Sequence, residues 1–363
     1  MLFATWGVHV PTVRQQFGLS EASLSWLMLA VCIGALISLT QVGGWVARHG
    51  ARQVVLLGGL LIALPLAWLL WVPAYAMLLA SLFLFGLASG AFDVAMNAEA
   101  VAVEQAYGRP IMSSFHGFFS LGGLTGALLG SLAAATHTVP WLHLGGSALI
   151  GFAMVWLASQ HMLPLPAASA TNEDQAGFRL PHGTILLLGL LAALGLIGEG
   201  AMYDWSTLYM VKELDSPQQI AALGYGAFSG AMAAGRFGGD WLRGRLGAAR
   251  TLSLSAWIAA VAMSATLAIG HPLAALPGFA LVGLGFSNMI PVLFSAAAKV
   301  PGVTAAHGIA GVSGVGYLGF MLGPPLIGAI AHATRLSIAL LVVAVFSAIA
   351  ALLTHRALRA ASR

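Results

Sequence analysis

Long apolar stretches follow one another along the whole chain, separated by short polar interruptions. A helix of about 20 mainly apolar residues crosses a bilayer, and the stretches are of that order. The pattern predicts helices over 23–46, 53–72, 76–103, 109–136 and 138–159, then over 183–211, 217–242, 250–270, 273–299, 303–332 and 336–356. The longest polar stretch, 161–181, holds Pro164, Pro166, Asn172, Glu173, Asp174 and Arg179 and reads as a linker. It divides the chain into a first membrane half, 1–160, and a second, 182–363.

The halves repeat one another. The stretch from Gly43-Gly44-Trp45 to Gly50-Ala51-Arg52 returns as the stretch from Gly238-Gly239-Asp240 to Ala248-Ala249-Arg250, in each case a basic, glycine-rich turn between two apolar segments. Duplication of a set of membrane helices is a mark of transporters. A second match sets Trp6 against Trp205. Trp205 has a full span of apolar residues before it, but only five residues precede Trp6. The comparison predicts a first helix that starts part-way, within Met1 to Pro11, and that Met1 is an internal methionine of a longer reading frame.

Composition narrows the class. Hydrophobic residues make up 59% of the 363, charged residues only 7%, and the mean hydropathy is +0.91. Soluble, disordered and nucleic-acid-binding proteins are excluded together. Cys32 is the single cysteine and lies in an apolar segment, so no intrachain disulfide or cysteine metal site is expected. Most basic residues, from Arg48 and Arg52 through Arg243 and Arg245 to Arg363, fall in alternate loops on one side, with Arg14, Lys212 and Arg335 on the other. The positive-inside rule then makes the duplicated turn, the linker and the C-terminus cytoplasmic.

With two six-helix halves and a glycine-rich basic turn after the second and eighth helices, the chain resembles the major facilitator superfamily over its whole length. Three runs resemble its fucose-permease-like and bacterial inner-membrane branch: Gly198-Glu199-Gly200-Ala201-Met202-Tyr203-Asp204-Trp205, Phe92-Asp93-Val94-Ala95-Met96-Asn97 with Ser114-Phe115-His116-Gly117, and Gly235-Arg236-Phe237-Gly238-Gly239-Asp240. The resemblance implies an all-α polytopic fold, a monomer in the inner membrane, and a small-molecule substrate moved without a cofactor. The family's turn places an acid before its first arginine, where this chain has Ala47 and Gly244.

Polar residues at membrane depth are costly and mark ion or substrate paths. Asp93 and Asn97 are four apart and share a helix face. His116 lies about as far beyond the following turn as Asp93 lies before it, so an antiparallel hairpin sets the three at similar depth. A carboxylate and an imidazole facing one cavity can take up and release a proton as access alternates; the alternative is a hydrogen bond that only locks the hairpin. Glu199 sits between two glycines, which permit local unwinding, with Tyr203 one turn on and Trp205 beyond it as a gate or an interface anchor. Arg236 and Asp240, four apart, read as a cytoplasmic latch or as a solvated pair, and Arg48 and Arg52 in the first copy of the turn are further gating candidates, although Asp240 has no equivalent there. Asn288, near Pro291, is a candidate cavity donor, or else packs helices.

Gly314-Val315-Gly316-Tyr317-Leu318-Gly319 matches a dinucleotide-binding pattern, but it lies inside an apolar span with no strand before it, so it is rejected. No metal-binding spacing occurs in the sequence. The expected activity is secondary transport of a neutral polar, sugar-like solute with protons. A proton-coupled exporter of a cationic or amphipathic compound fits the same residues, and a non-transporting scaffold or sensor is the reading from another class.

Overall fold

The computed structural model describes residues 1–19, 21–163, 180–216 and 218–361. Most of the predicted linker, including Pro164, Pro166, Asn172, Glu173, Asp174 and Arg179, lies outside them, as does Arg363. The described chain is helical: α1 (Leu2–Gln16), α2 (Glu21–Leu39), α3 (Val42–Trp68), α4 (Tyr75–Tyr107), α5 (Met112–Ala135), α6 (Pro140–Ser159), α7 (Gly183–Lys212), α8 (Gln218–Leu246), α9 (Ala248–Ile269), α10 (Pro272–Phe286), α11 (Met289–Ala297), α12 (Ala305–Ala333) and α13 (Leu336–Ala361). Among the described residues, eight helical spans are long and apolar enough to cross a membrane, α10 and α11 counting together as one. Large apolar side chains such as Leu149 and Leu352 stay exposed, as a lipid-facing surface requires.

The helices follow the sequence pattern with four differences, each with a local cause. The first helix runs through Pro11 and continues to Gln16. The segment predicted as 23–46 breaks at Thr40–Gln41, where the Thr40 hydroxyl donates to the Ile37 carbonyl and competes with the helical ladder. The duplicated turn is mostly helix. In both copies the chain bends at one glycine, Gly50 (φ 78°, ψ 153°) and Gly247 (φ 77°, ψ 162°), in a region that only glycine enters without strain. The tenth span splits at Ser287–Asn288 because Pro291 has no amide hydrogen, and its ring crowds the carbonyl four residues back, that of Ser287.

The residues form two compact units: Met1–Val103 with Phe118–Arg179, and Glu104–Gly117 with Leu180–Arg363. In the first unit Trp6, Leu66, Leu69, Leu78, Leu82, Phe85 and Leu144 make the core. Trp6 is therefore a core side chain. Gly34 and Gly86 let α2 and α4 cross backbone to backbone, since a methyl group on either would overlap the facing main chain. His9 Nε2 and His143 Nδ1, 2.7 Å apart, tie α1 to α6.

The second unit repeats the crossing: Gly283 of α10 lies against the Phe228 carbonyl of α8. Gly319 of α12 packs on Ala193 of α7, and Gly285 of α10 on Ala259 of α9. Two buried hydroxyls of this unit are satisfied by their own helical ladder, Thr266 donating to Ala262 O and Thr354 to Ala350 O.

Candidate functional site

In the second unit, α7 carries Glu199 near its middle and α8 brings Arg236 to it. Arg236 Nη2 lies 3.7 Å from Glu199 Oε1, and the two side chains are only 10% and 13% exposed. That separation is an ion pair held by charge rather than a tight hydrogen bond. The sequence placed Arg236 at the inner end of its span. Because α8 continues to Leu246, ten residues further, Arg236 sits about 15 Å inside the helix end.

Glycines 198 and 200 do not unwind α7, which is one continuous helix. They instead give room to Phe286 and Phe320, whose rings lie where larger side chains would be. One turn on, the Tyr203 ring lies 5.3 Å from that of Tyr225 and 5.2 Å, edge-on, from that of Phe228. Its hydroxyl points to Met232 Sδ at 3.9 Å. Trp205 packs against Gly328 of α12.

A second cluster forms where α8 meets residues 104–117. Asp240 accepts the amides of Ser113 and Ser114 at 2.8 and 2.7 Å, together with the Ser114 hydroxyl. These amides belong to the first turn of α5, so Asp240 caps that helix from another part of the chain and meets the positive end of its dipole. Three residues on, Arg243 donates through Nη1 and Nη2 to the two oxygens of Glu104, both at 3.0 Å. Glu104 also accepts Ile111 N and Met112 N, and the Ser295 hydroxyl lies within reach of both partners.

Asn288, at the break between α10 and α11, receives the Ser113 hydroxyl at 3.3 Å and donates to Ser287 Oγ. Gly239 makes the cluster possible, because a methyl group there would overlap Asn288 Oδ1. The i,i+4 spacing offered Arg236 as the partner of Asp240, but the carboxylate of Asp240 is taken up by α5. Glu104, Arg243, Ser113 and Ser295 were not singled out from the sequence. Arg243 lies inside the duplicated segment, yet nothing local names its partner in a different stretch.

In the first unit, Asn97 Nδ2 donates to Asp93 O at 2.8 Å and to Asp93 Oδ1 at 3.2 Å, so the shared face expected on α4 is present. His116 belongs to the second unit, its ring 5.8 Å from that of Phe294. Arg52 donates to Gln160 Oε1 at 3.2 Å, and Arg48 is exposed. Among the described residues there is no group of three His, Cys, Asp or Glu able to hold a metal ion.

Comparison with known proteins agrees with this architecture. Residues 1–307 match the family model described as Major Facilitator Superfamily. The chain belongs to the Major Facilitator Superfamily. A superfamily member of Yersinia pestis, described as an uncharacterized MFS-type transporter, is 34% identical over 342 residues, covering 93% of this chain and 87% of the relative. The membrane protein MosC of Rhizobium meliloti is 33% identical over 343 residues, covering 94% and 83%.

Among solved superfamily structures, the fucose:proton symporter FucP of E. coli superposes with a TM-score of 0.80 at 18% identity, covering 98% of this chain and 96% of that one. The proton:xylose symporter XylE gives 0.73 at 13% identity, covering 97% and 91%. At these identities the likeness is one of fold. The protein is thus a multi-pass membrane transporter of the superfamily and not an enzyme.

Proposed function

We propose that this secondary transporter moves a small neutral polar solute, sugar-like in character, in symport with protons. The observation that carries the reading is the buried Glu199–Arg236 pair beside the rings of Tyr203 and Tyr225. With Glu199 ionised the pair is formally neutral and the guanidinium is occupied. A proton bound at Glu199 Oε1 removes the negative charge, and the Arg236 N–H groups turn to a solute hydroxyl. The faces of Tyr203 and Tyr225 offer a platform for the apolar C–H side of a sugar ring.

Asp93 with Asn97, His116 and Asn288 are the further proton- and solute-binding residues of this reading. Asp240, together with Arg48 and Arg52, serves the cytoplasmic gate, joined by Arg243 and Glu104, whereas Arg236 acts at the Glu199 site, and Trp205 closes the outer end. The chain works as a monomer in the bacterial inner membrane with its C-terminus cytoplasmic. The halves 1–160 and 182–363, joined by 161–181, alternate access to the site. FucP and XylE are named as proton-coupled sugar symporters, which fits this proposal.

The test is uptake of a panel of neutral monosaccharides into proteoliposomes under an inward proton gradient. Gradient-driven accumulation is expected, and in Glu199→Gln it is lost while exchange of labelled for unlabelled sugar continues. Efflux of cationic compounds with no sugar uptake would overturn the reading.

A further inference from the structure

At the end of the second unit remote from residues 104–117, the C-terminus of α7, the end of α9 and the start of α13 enclose a cavity of about 390 Å³. Its charged walls are Glu213 and Arg335, and its apolar wall includes Leu267, Ile338 and Leu341. Glu213 already holds α13 in place: Oε1 accepts Leu336 N at 2.5 Å and Oε2 accepts Ser337 N at 3.0 Å. Each oxygen keeps a further lone pair. Arg335 immediately precedes α13, where the helix dipole opposes a cation, and no ion pair joins it to Glu213 among the described residues. Two opposite charges therefore face one space without neutralising each other. Ile338 and Leu341 are 39% and 41% exposed, on a surface that in the bilayer faces acyl chains.

We infer that this cavity seats the headgroup of a zwitterionic phospholipid bearing a primary ammonium, of the phosphatidylethanolamine type. The ammonium donates hydrogen bonds to the remaining lone pairs of Glu213. The phosphate lies against the Arg335 guanidinium, which suits its geometry, and an acyl chain runs down over Ile338 and Leu341. A quaternary ammonium has no N–H to donate, and an anionic headgroup without an amine leaves Glu213 facing negative charge. The seat thus distinguishes three headgroups that carry identical acyl chains.

The test is native mass spectrometry of the full chain, delipidated in detergent and then titrated with palmitoyl-oleoyl phosphatidylethanolamine, phosphatidylcholine or phosphatidylglycerol. One equivalent of the ethanolamine lipid is expected to be retained at least fivefold more strongly than the other two. Arg335→Ala lowers retention of the ethanolamine lipid at least fivefold, because its phosphate loses the guanidinium, and Arg335→Lys restores most of it. Glu213→Gln is a poorer probe, since it also weakens the anchor of α13. Equal retention of ethanolamine and choline lipids by the wild-type chain, or unchanged retention of the ethanolamine lipid in Arg335→Ala, would overturn the inference.

Discussion

Arg243 grips Glu104 with both terminal guanidinium nitrogens, each 3.0 Å from a different carboxylate oxygen. Both residues are more than nine-tenths buried, and the remaining carboxylate lone pairs are met by backbone amides and Ser295. A pair enclosed in this way is destabilising to break and far less so to replace.

The first prediction concerns that asymmetry. Arg243→Met and Glu104→Leu made singly should each destabilise the protein by about 3–5 kcal/mol, because each strands a buried charge. Combined, they should cost clearly less than their sum. Denaturation of the purified protein in detergent, run as a double-mutant cycle, measures the coupling; additive losses would contradict the buried-pair description.

Two neighbouring glycines make a matched test. A methyl group at Gly239 would overlap Asn288 Oδ1 and come within 2.9 Å of Ser113 Oγ, whereas one at Gly238 meets nothing within 4 Å. Gly239→Ala should lose about 1–3 kcal/mol through overpacking, and Gly238→Ala should be close to neutral. Midpoints of thermal unfolding for the two variants provide the comparison.

The two bend glycines should respond alike. Gly50 and Gly247 have open space around the missing Cβ, so substitution strains only the backbone. Alanine at either should cost about 1–3 kcal/mol. A much larger loss at one, in the same unfolding assay, would mean that the copies do different structural work.

At the aromatic platform, Tyr203→Phe keeps the ring beside Tyr225 and Phe228 and removes only the hydroxyl, which faces Met232 Sδ at 3.9 Å. Half-saturation of solute uptake should move less than threefold in Tyr203→Phe and more than tenfold in Tyr203→Ala. Equal effects would place the hydroxyl, rather than the ring, against the solute.

The fold was legible wherever its cause was local. Apolar length set the spans, and the duplicated glycine-rich segment marked a turn in both halves, although the bend itself is confined to Gly50 and Gly247. Pro291 accounts for the split of the tenth span, yet its effect falls four residues earlier, at Ser287, where no local signal marks a break. Glu199, Arg236 and Asp240 stood out as charges in apolar surroundings, but their partners did not follow from spacing. Four-residue intervals identify a shared helix face; they carry no information about which other helix that face meets. Glu104 and Arg243 are the extreme case, since only the assembled second unit brings them together.

The capping of α5 by Asp240 turns two amides into a natural reporter. A helix start whose acceptor is a neighbour in sequence keeps that acceptor whatever its surroundings do, whereas Ser113 and Ser114 lose theirs whenever residues 104–117 leave α8. Slow hydrogen exchange at these two positions would then measure the fraction of time the segment stays docked, with no label and no ligand.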